Sequence, residues 1–180
     1  MIGLVDCNNF YVSCESVFNH KLNGRPVGIM SNNDGCIIAR SEELKALGIE
    51  MGTPAHQVRH LVERGEIVLH SSNYELYGDM SQRVQGILEQ ETAGVEPYSI
   101  DEMFVRMDGF EPEALLEHAK SLHRKIRRGT GIPVCVSALP LPTPSPSWPT
   151  ASLRSTPATP ACASFTQGAT KPGICCSKLR

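Results

Sequence analysis

The chain has 180 residues, 41% of them hydrophobic and 20% charged, which suits one packed domain with a small addition and excludes a chain disordered throughout. No run approaches the roughly 18 apolar residues of a membrane span. The opening Met1-Ile2-Gly3-Leu4-Val5-Asp6 carries an acid and no basic flank, unlike a signal peptide. The seven cysteines are odd in number and contain no C-x-x-C pair, which fits a reducing compartment better than a disulfide framework or a zinc site. The net charge of −2 hides an asymmetry, because all 19 acids lie at or before Glu117 beside only eight Lys and Arg. From His118 onward there are nine Lys and Arg and no acid. So acidic a body does not bind a polyanion through general electrostatics, which need Lys and Arg to replace counterions, but it can hold divalent cations.

In chain order, Ile2-Gly3-Leu4-Val5 reads as a buried strand ending at Asp6, and a helix follows over Asn8 to Val17. Pro26 to Met30 reads as a second strand, and Ser31-Asn32-Asn33-Asp34-Gly35 as a turn. Ser41-Glu42-Glu43 starts a helix that stops at Gly48. Another helix follows Thr53-Pro54, since proline suits a first helical position, and Ile67 to Leu69 is a strand. Tyr74, Tyr77, Met80, Val84, Ile87 and Leu88 recur at helical spacing and predict an amphipathic helix to about residue 91. Val95 to Ile100 and Met103 to Met107 read as two strands or one hairpin around Asp101-Glu102. Pro112 to Arg127 is a helix, and Val134-Cys135-Val136 starts a strand that the following residues do not complete. The class is α+β with α/β alternation.

Residues 137–180 differ in composition. They hold eight of the 13 prolines, clustered with Ser, Thr and Ala without any period, so they cannot bury enough apolar surface to offset the entropy of ordering. A disordered Pro-rich tail is expected there.

Asp6 closes the first strand, and Asp101-Glu102 interrupts the second strand pair. Adjacent carboxylates oppose each other's ionisation unless a cation neutralises them, and Mg2+ takes one or two carboxylates while keeping positions for phosphate oxygens. On the residues alone an ordinary alternative stays open, with Asp101 and Glu102 as turn residues and Asp6 as a helix cap.

The strings around these acids resemble a known family. Asp6-Cys7-Asn8-Asn9-Phe10-Tyr11-Val12-Ser13-Cys14-Glu15 is similar to the first motif of the Y-family translesion DNA polymerases, and Tyr98-Ser99-Ile100-Asp101-Glu102-Met103-Phe104 to their second carboxylate motif. Ser31 to Arg40, Lys45-Ala46-Leu47-Gly48 and Ser71 to Tyr77 resemble the UmuC branch of that family. The resemblance covers residues 1 to about 136. It implies a ferredoxin-like polymerase palm (about 1–10 and 76–136) with small inserted fingers (about 11–75), incomplete after about residue 136. It also implies SOS-linked, error-prone templated nucleotidyl transfer in the cytoplasm.

By that resemblance Asp6, Asp101 and Glu102 are catalytic and hold two Mg2+ ions, joined by the backbone carbonyl of Cys7, since Mg2+ prefers oxygen to sulfur. Phe10 and Tyr11 would lie by the nucleotide sugar, with Tyr11 the steric gate against a ribose 2′-hydroxyl; packing in the core is the alternative for both rings. Arg40 and Lys45 would meet the triphosphate, against the default of solvated surface charge. Glu42 stands where many relatives carry a phosphate-contacting Tyr. Asn73, Tyr74 and Tyr77 read as packing residues. The basic run His123 to Arg128 could touch a phosphate backbone, although cations at a helix C-terminus are the favoured reading. The implied partners are primer–template DNA and deoxynucleoside triphosphates, then a UmuD-like dimer, the recombinase filament and the sliding clamp; no membrane is implied.

Past Ser137 the family's Gly-x-x-Pro-Thr segment and its Leu-Ala-Lys-Leu-Ala-Asn helix do not occur. Reread one frame over with permitted codons, Pro144 to Arg154 gives Leu-Ala-Lys-Leu-Ala-Asn-Arg-Leu-Ala-Lys, so the tail is read as a frameshifted, truncated end. Little or no processive polymerase activity is expected, the thumb and little finger being absent. A non-catalytic fragment or partner-binding module, and another Mg2+-dependent nucleotide enzyme on a palm fold, are the competing readings.

Overall fold

The computed structural model describes residues 2–109 and 112–139. The expectations for the Pro-rich tail, its disorder and its shifted frame, fall almost wholly on residues 140–180 and lie outside the described residues. No helix among the described residues is long and apolar enough to cross a membrane.

Two sheets organise the chain. The first has four antiparallel strands, β1 (Ile2–Cys7), β5 (Val95–Pro97), β6 (Glu102–Arg106) and β7 (Val134–Leu139), in the order β5-β6-β1-β7. With α4 (Tyr74–Glu91) between β1 and β5, and α5 (Pro112–Thr130) between β6 and β7, this is the split βαβ arrangement of a ferredoxin-like fold. Burial alternates along β1, with Gly3, Val5 and Cys7 buried and Leu4 and Asp6 half-buried, as expected where one face of a sheet meets a core. That core is made with Met80, Val84 and Leu88 of α4 and with Leu115, Leu122 and Ile126 of α5. The opposite face, carrying Asp6, is not covered by these helices.

The second sheet is inserted between β1 and α4. It has the order β3-β2-β4, from β2 (Val27–Met30), β3 (Ile37–Arg40) and β4 (Val68–Ser71). Its helices are short, α2 (Glu42–Ala46) and α3 (Arg59–Glu63). Its own core is Ile37, Leu44, Ile49, Val58 and Ile67. A Cβ at Gly28 would fall 2.9 Å from Leu69 and 3.0 Å from Leu44, so glycine there lets α2 and β4 close on β2. Helix α1 (Phe10–Phe18) joins the two parts, burying Phe10, Val12 and Cys14.

Several elements differ from the sequence reading. Strand β3 was not expected, because Ile37 to Arg40 is short and has no alternation to separate it from the preceding turn. The helix after Pro54 is a 3-10 turn over Ala55–Gln57 followed by the five-residue α3. Strand β5 stops at Pro97, and β6 starts at Glu102 rather than Met103. The last strand does not break off at Val136. It runs to Leu139 and pairs with β1 along its whole length, from Cys7↔Val134 to Ile2↔Leu139.

Candidate active site

Strand register brings the carboxylates near one another. Asp6, the fifth residue of β1, lies directly opposite Glu102, the first residue of β6, and side chains of directly opposed residues stand on the same face. Asp101 is held beside them, since its carbonyl accepts the Cys7 amide at 2.9 Å. Burial and then the neighbouring Asp101 raise the Asp6 carboxyl above its ordinary value, while Lys45 pulls it back down. Burial, Asp6 and Asp101 raise Glu102, and a hydrogen bond from Ser99 opposes them. Half-desolvated acids that oppose each other's ionisation are an arrangement a cation relieves.

Ser99 organises the turn that presents these acids. Its hydroxyl donates to Asp101 Oδ1 at 2.7 Å and accepts from the Glu102 amide at 3.0 Å, and the Glu102 carbonyl accepts the Tyr98 and Ser99 amides at 2.9 and 3.1 Å. The sequence reading missed Ser99. Its signal was a serine two residues before an acid, a spacing at which hydroxyls bond locally to backbone and side chain.

The donor set suits a hard cation, with three carboxylates and, on Cys7, a backbone carbonyl. Burial and the nearby Asp6 and Asp101 push the Cys7 thiol far above its ordinary value, so it stays protonated and offers a poor sulfur ligand. Among the described residues no three His, Cys, Asp or Glu side chains are already closed into a metal-holding cluster.

Tyr11 is half-buried and fixed by other aromatics. Its ring stacks on Tyr77 at 4.4 Å and 17° and meets Tyr74 edge-on at 6.0 Å. Tyr77 is buried completely, and its hydroxyl donates to Glu15 Oε1 at 2.9 Å. Phe10 is buried in the main core, where packing is its first role. Asn73 is exposed and caps α4 by accepting from the Leu76 amide at 3.1 Å, a capping rather than a packing role, while Tyr77 packs as expected.

The two cations expected to meet phosphate are differently placed. Lys45 is near enough to the carboxylates to be felt at Asp6. Its Nζ donates to Asn9 Oδ1 and Glu42 Oε1, both at 2.7 Å. Arg40 Nη1 donates to the Ile49 carbonyl at 2.7 Å, and its buried Nε has no hydrogen-bond partner. Arg40 therefore stabilises the second region whatever else it does. The basic run on α5 is not one patch, since His123 and Ile126 are buried and Lys125 pairs with Glu91 at 2.6 Å. A cleft of about 390 Å3 lined by Asn9, Ser13, His20, Glu42 and Glu43 contains none of the three acids.

Comparison with known proteins bears on the same residues. Residues 5–138 match the family described as impB/mucB/samB. Protein ImpB of Salmonella typhimurium is 47% identical over 147 residues, covering 79% of this chain and 34% of ImpB. Protein UmuC of the LT2 strain is 52% identical over 109 residues, covering 61% of this chain and 26% of UmuC. The chain thus spans about a third of the curated relatives it matches. Among solved structures, a Dbh ternary complex superposes with a TM-score of 0.70 at 22% identity, over 78% of this chain and 42% of that one. An insertion ternary complex of Dbh DNA polymerase gives 0.67 at 23% identity, over 76% and 42%. At such identities the structures establish the fold, a Y-family palm and fingers.

Proposed function

Because this chain belongs to the impB/mucB/samB family, the UmuC-type branch of the Y-family translesion DNA polymerases, we propose that it is the palm and fingers of a template-directed DNA nucleotidyl transferase. The palm corresponds to about 1–10 and 76–136 and the fingers to about 11–75. The observation that carries this reading is the pairing of Asp6 with Glu102 across β1 and β6, with Asp101 beside them.

Asp6, Asp101, Glu102 and the Cys7 carbonyl are the groups that would hold two Mg2+ ions. When bound, Mg2+ supplies activation of a primer 3′-hydroxyl and neutralisation of triphosphate charge. The chain's own residues do the rest. Ser99 fixes Asp101 and the Glu102 backbone, so the side chains of Asp6 and Glu102 make the remaining adjustment on binding. Tyr11, braced by Tyr74 and Tyr77, forms a stiff wall beside the sugar and excludes a 2′-hydroxyl by contact. Lys45, and Arg40 less directly, face the triphosphate. Primer–template DNA and deoxynucleoside triphosphates are the substrates in this reading, with a cytoplasmic role in SOS repair. A UmuD-like dimer, the recombinase filament and the sliding clamp are the partners that ancestry suggests.

One observation favours a weak or non-catalytic version. Residues 1–117 present 19 acids against eight Lys and Arg, a poor electrostatic grip on a duplex. Primer extension on an undamaged template with Mg2+ decides the matter, comparing the chain with an Asp101→Ala, Glu102→Ala double variant. Template-directed addition of one or a few nucleotides, lost in the variant, is the expected result. A folded chain that adds none overturns the catalytic reading.

A further inference from the structure

Lys45, the cation felt at Asp6, is already engaged. Besides its two 2.7 Å bonds to Asn9 and Glu42, the Asn9 amide nitrogen donates to the same Glu42 oxygen at 3.0 Å. The three side chains therefore close a ring that joins the β1–α1 corner to α2. Asn9 makes this ring at the expense of its usual role. It precedes α1 in the left-handed conformation, φ 48° and ψ 44°, and its side chain forms no capping bond, although asparagine there ordinarily accepts a first-turn amide. Glu42 is held below its ordinary pKa by hydrogen bonds from Lys45 and then Asn9, so it is a full anion at neutral pH.

We propose that Glu42, held by Asn9, is a built-in counter-anion of Lys45 that an incoming triphosphate displaces, and that it sets nucleotide affinity by acting through Lys45. The inference rests on the reading of the site given above. A lysine ammonium has three donors, and this ring occupies two of them. The third donor is open to one triphosphate oxygen, and a second competes for the donor that Glu42 holds, while Asn9 keeps the ammonium in place. The displaced carboxylate turns to solvent, which is open to it because the Glu42 side chain is 73% exposed. One charge-assisted bond replaces another, so Lys45 adds less to triphosphate binding than an unpaired lysine would. Glu42 is thus a positioning residue that restrains nucleotide binding.

The test is calorimetric titration of the full 180-residue chain with a deoxynucleoside triphosphate and Mg2+, in wild type, Glu42→Gln, Lys45→Met and the double variant. Glu42→Gln is expected to lower Kd about two- to five-fold, the range of an exposed ion pair, and Lys45→Met to raise it. With Lys45 removed, the gain from Glu42→Gln should largely vanish. An unchanged or higher Kd in Glu42→Gln overturns the proposal and leaves the polymerase reading standing. The same gain with and without Lys45 also overturns it, since Glu42 would then act only as a distant charge. In parallel, the Glu42 carboxyl is titrated by NMR in wild type and Lys45→Met, where loss of its partner should raise its pKa. If no chain binds triphosphate while that titration still responds to Lys45, the ring is structural only, and both the proposal and the nucleotide reading fail.

Discussion

The four-stranded sheet rests on helices of 18 and 19 residues, over a buried cluster from Val5 to Val136 that also takes in Val27 and Ile29 of β2. The three-stranded sheet carries two five-residue helices and five buried side chains of its own. Helices that short do not persist by propensity, so the second region depends on polar ties to backbone. The Ser41 hydroxyl accepts the Val27 and Leu44 amides at 3.0 and 3.2 Å and donates to the Arg25 carbonyl at 3.1 Å. Arg40 and Arg25 add bonds to the Ile49 and Gly65 carbonyls. The difference parallels the proposed division of labour. Acids that the proposed chemistry needs in register sit on or beside the deeply packed sheet, and the cations that would meet a mobile substrate sit in the lightly packed region.

The same truncation in each core tests this contrast most strongly. Leu122 and Leu44 are both fully buried, and replacing a buried Leu by Ala costs about 2–5 kcal/mol. Leu122→Ala is expected to lower the denaturation midpoint of the whole chain. Leu44→Ala should open only the second region, raising amide exchange across residues 27–71 while β1, β6 and β7 keep their protection. Loss of protection in both sheets from Leu44→Ala would show that they unfold as one unit. A smaller cut uses Ser41→Ala, which removes a helix cap and two further bonds and should cost about 1–2 kcal/mol, again with exchange confined to the second region.

How far the sequence discloses these regions follows from the range of the forces involved. Helices α4 and α5 are legible because Tyr77, Met80, Val84 and Leu88, and likewise Leu115, Leu122 and Ile126, repeat at helical spacing and bury one face. The acids are legible from their surrounding strings. Strand β3 is not, because Ile37 to Arg40 is defined by its partners, the β2 ladder and the Thr53 carbonyl that accepts the Ile37 amide at 3.0 Å. Nor is the ring at Lys45, which joins residues 33 to 36 positions apart. Glu42 is marked in the sequence only as a departure from its relatives, and Asn9 reads as part of the helix over Asn8 to Val17. What local periodicity encodes can be read directly; what long-range pairing decides needs the folded chain.

The carboxylate cluster predicts a trade between stability and chemistry within the packed region. Burial and like charge raise the pKa of Asp6 and Glu102 above 3.8 and 4.5. A group raised on folding contributes stability that is fully present below its unfolded pKa and is lost as pH rises through its folded value. At pH 7 both acids therefore work against the fold. Glu102→Gln should raise Tm at pH 7 while removing a group the proposed chemistry needs, and the gain should disappear below about pH 4. A variant no more stable than wild type at pH 7 would mean that the acids are not under mutual repulsion.

The smallest effect expected comes from the opposite side of the same sheet and has the opposite sign. His123 is 9% exposed on the core-facing side of α5, and its buried Nδ1 has no hydrogen-bond partner. Burial, and then Arg127 and Arg124, lower its pKa below 6.5. A depressed pKa gives stability that is present above the unfolded value and lost as pH falls through the folded one. Wild-type Tm should therefore decline as pH drops below about 6.5, before the carboxylates begin to protonate and offset the loss. His123→Leu keeps an apolar side chain against the core and cannot take up a proton, so its Tm should stay flat across that window. Equal slopes in the two chains would place the acid sensitivity elsewhere. A flat variant would show that the deeply packed region is limited at mild acid by one buried imidazole on its core side, and at neutral pH by the acids on its open face.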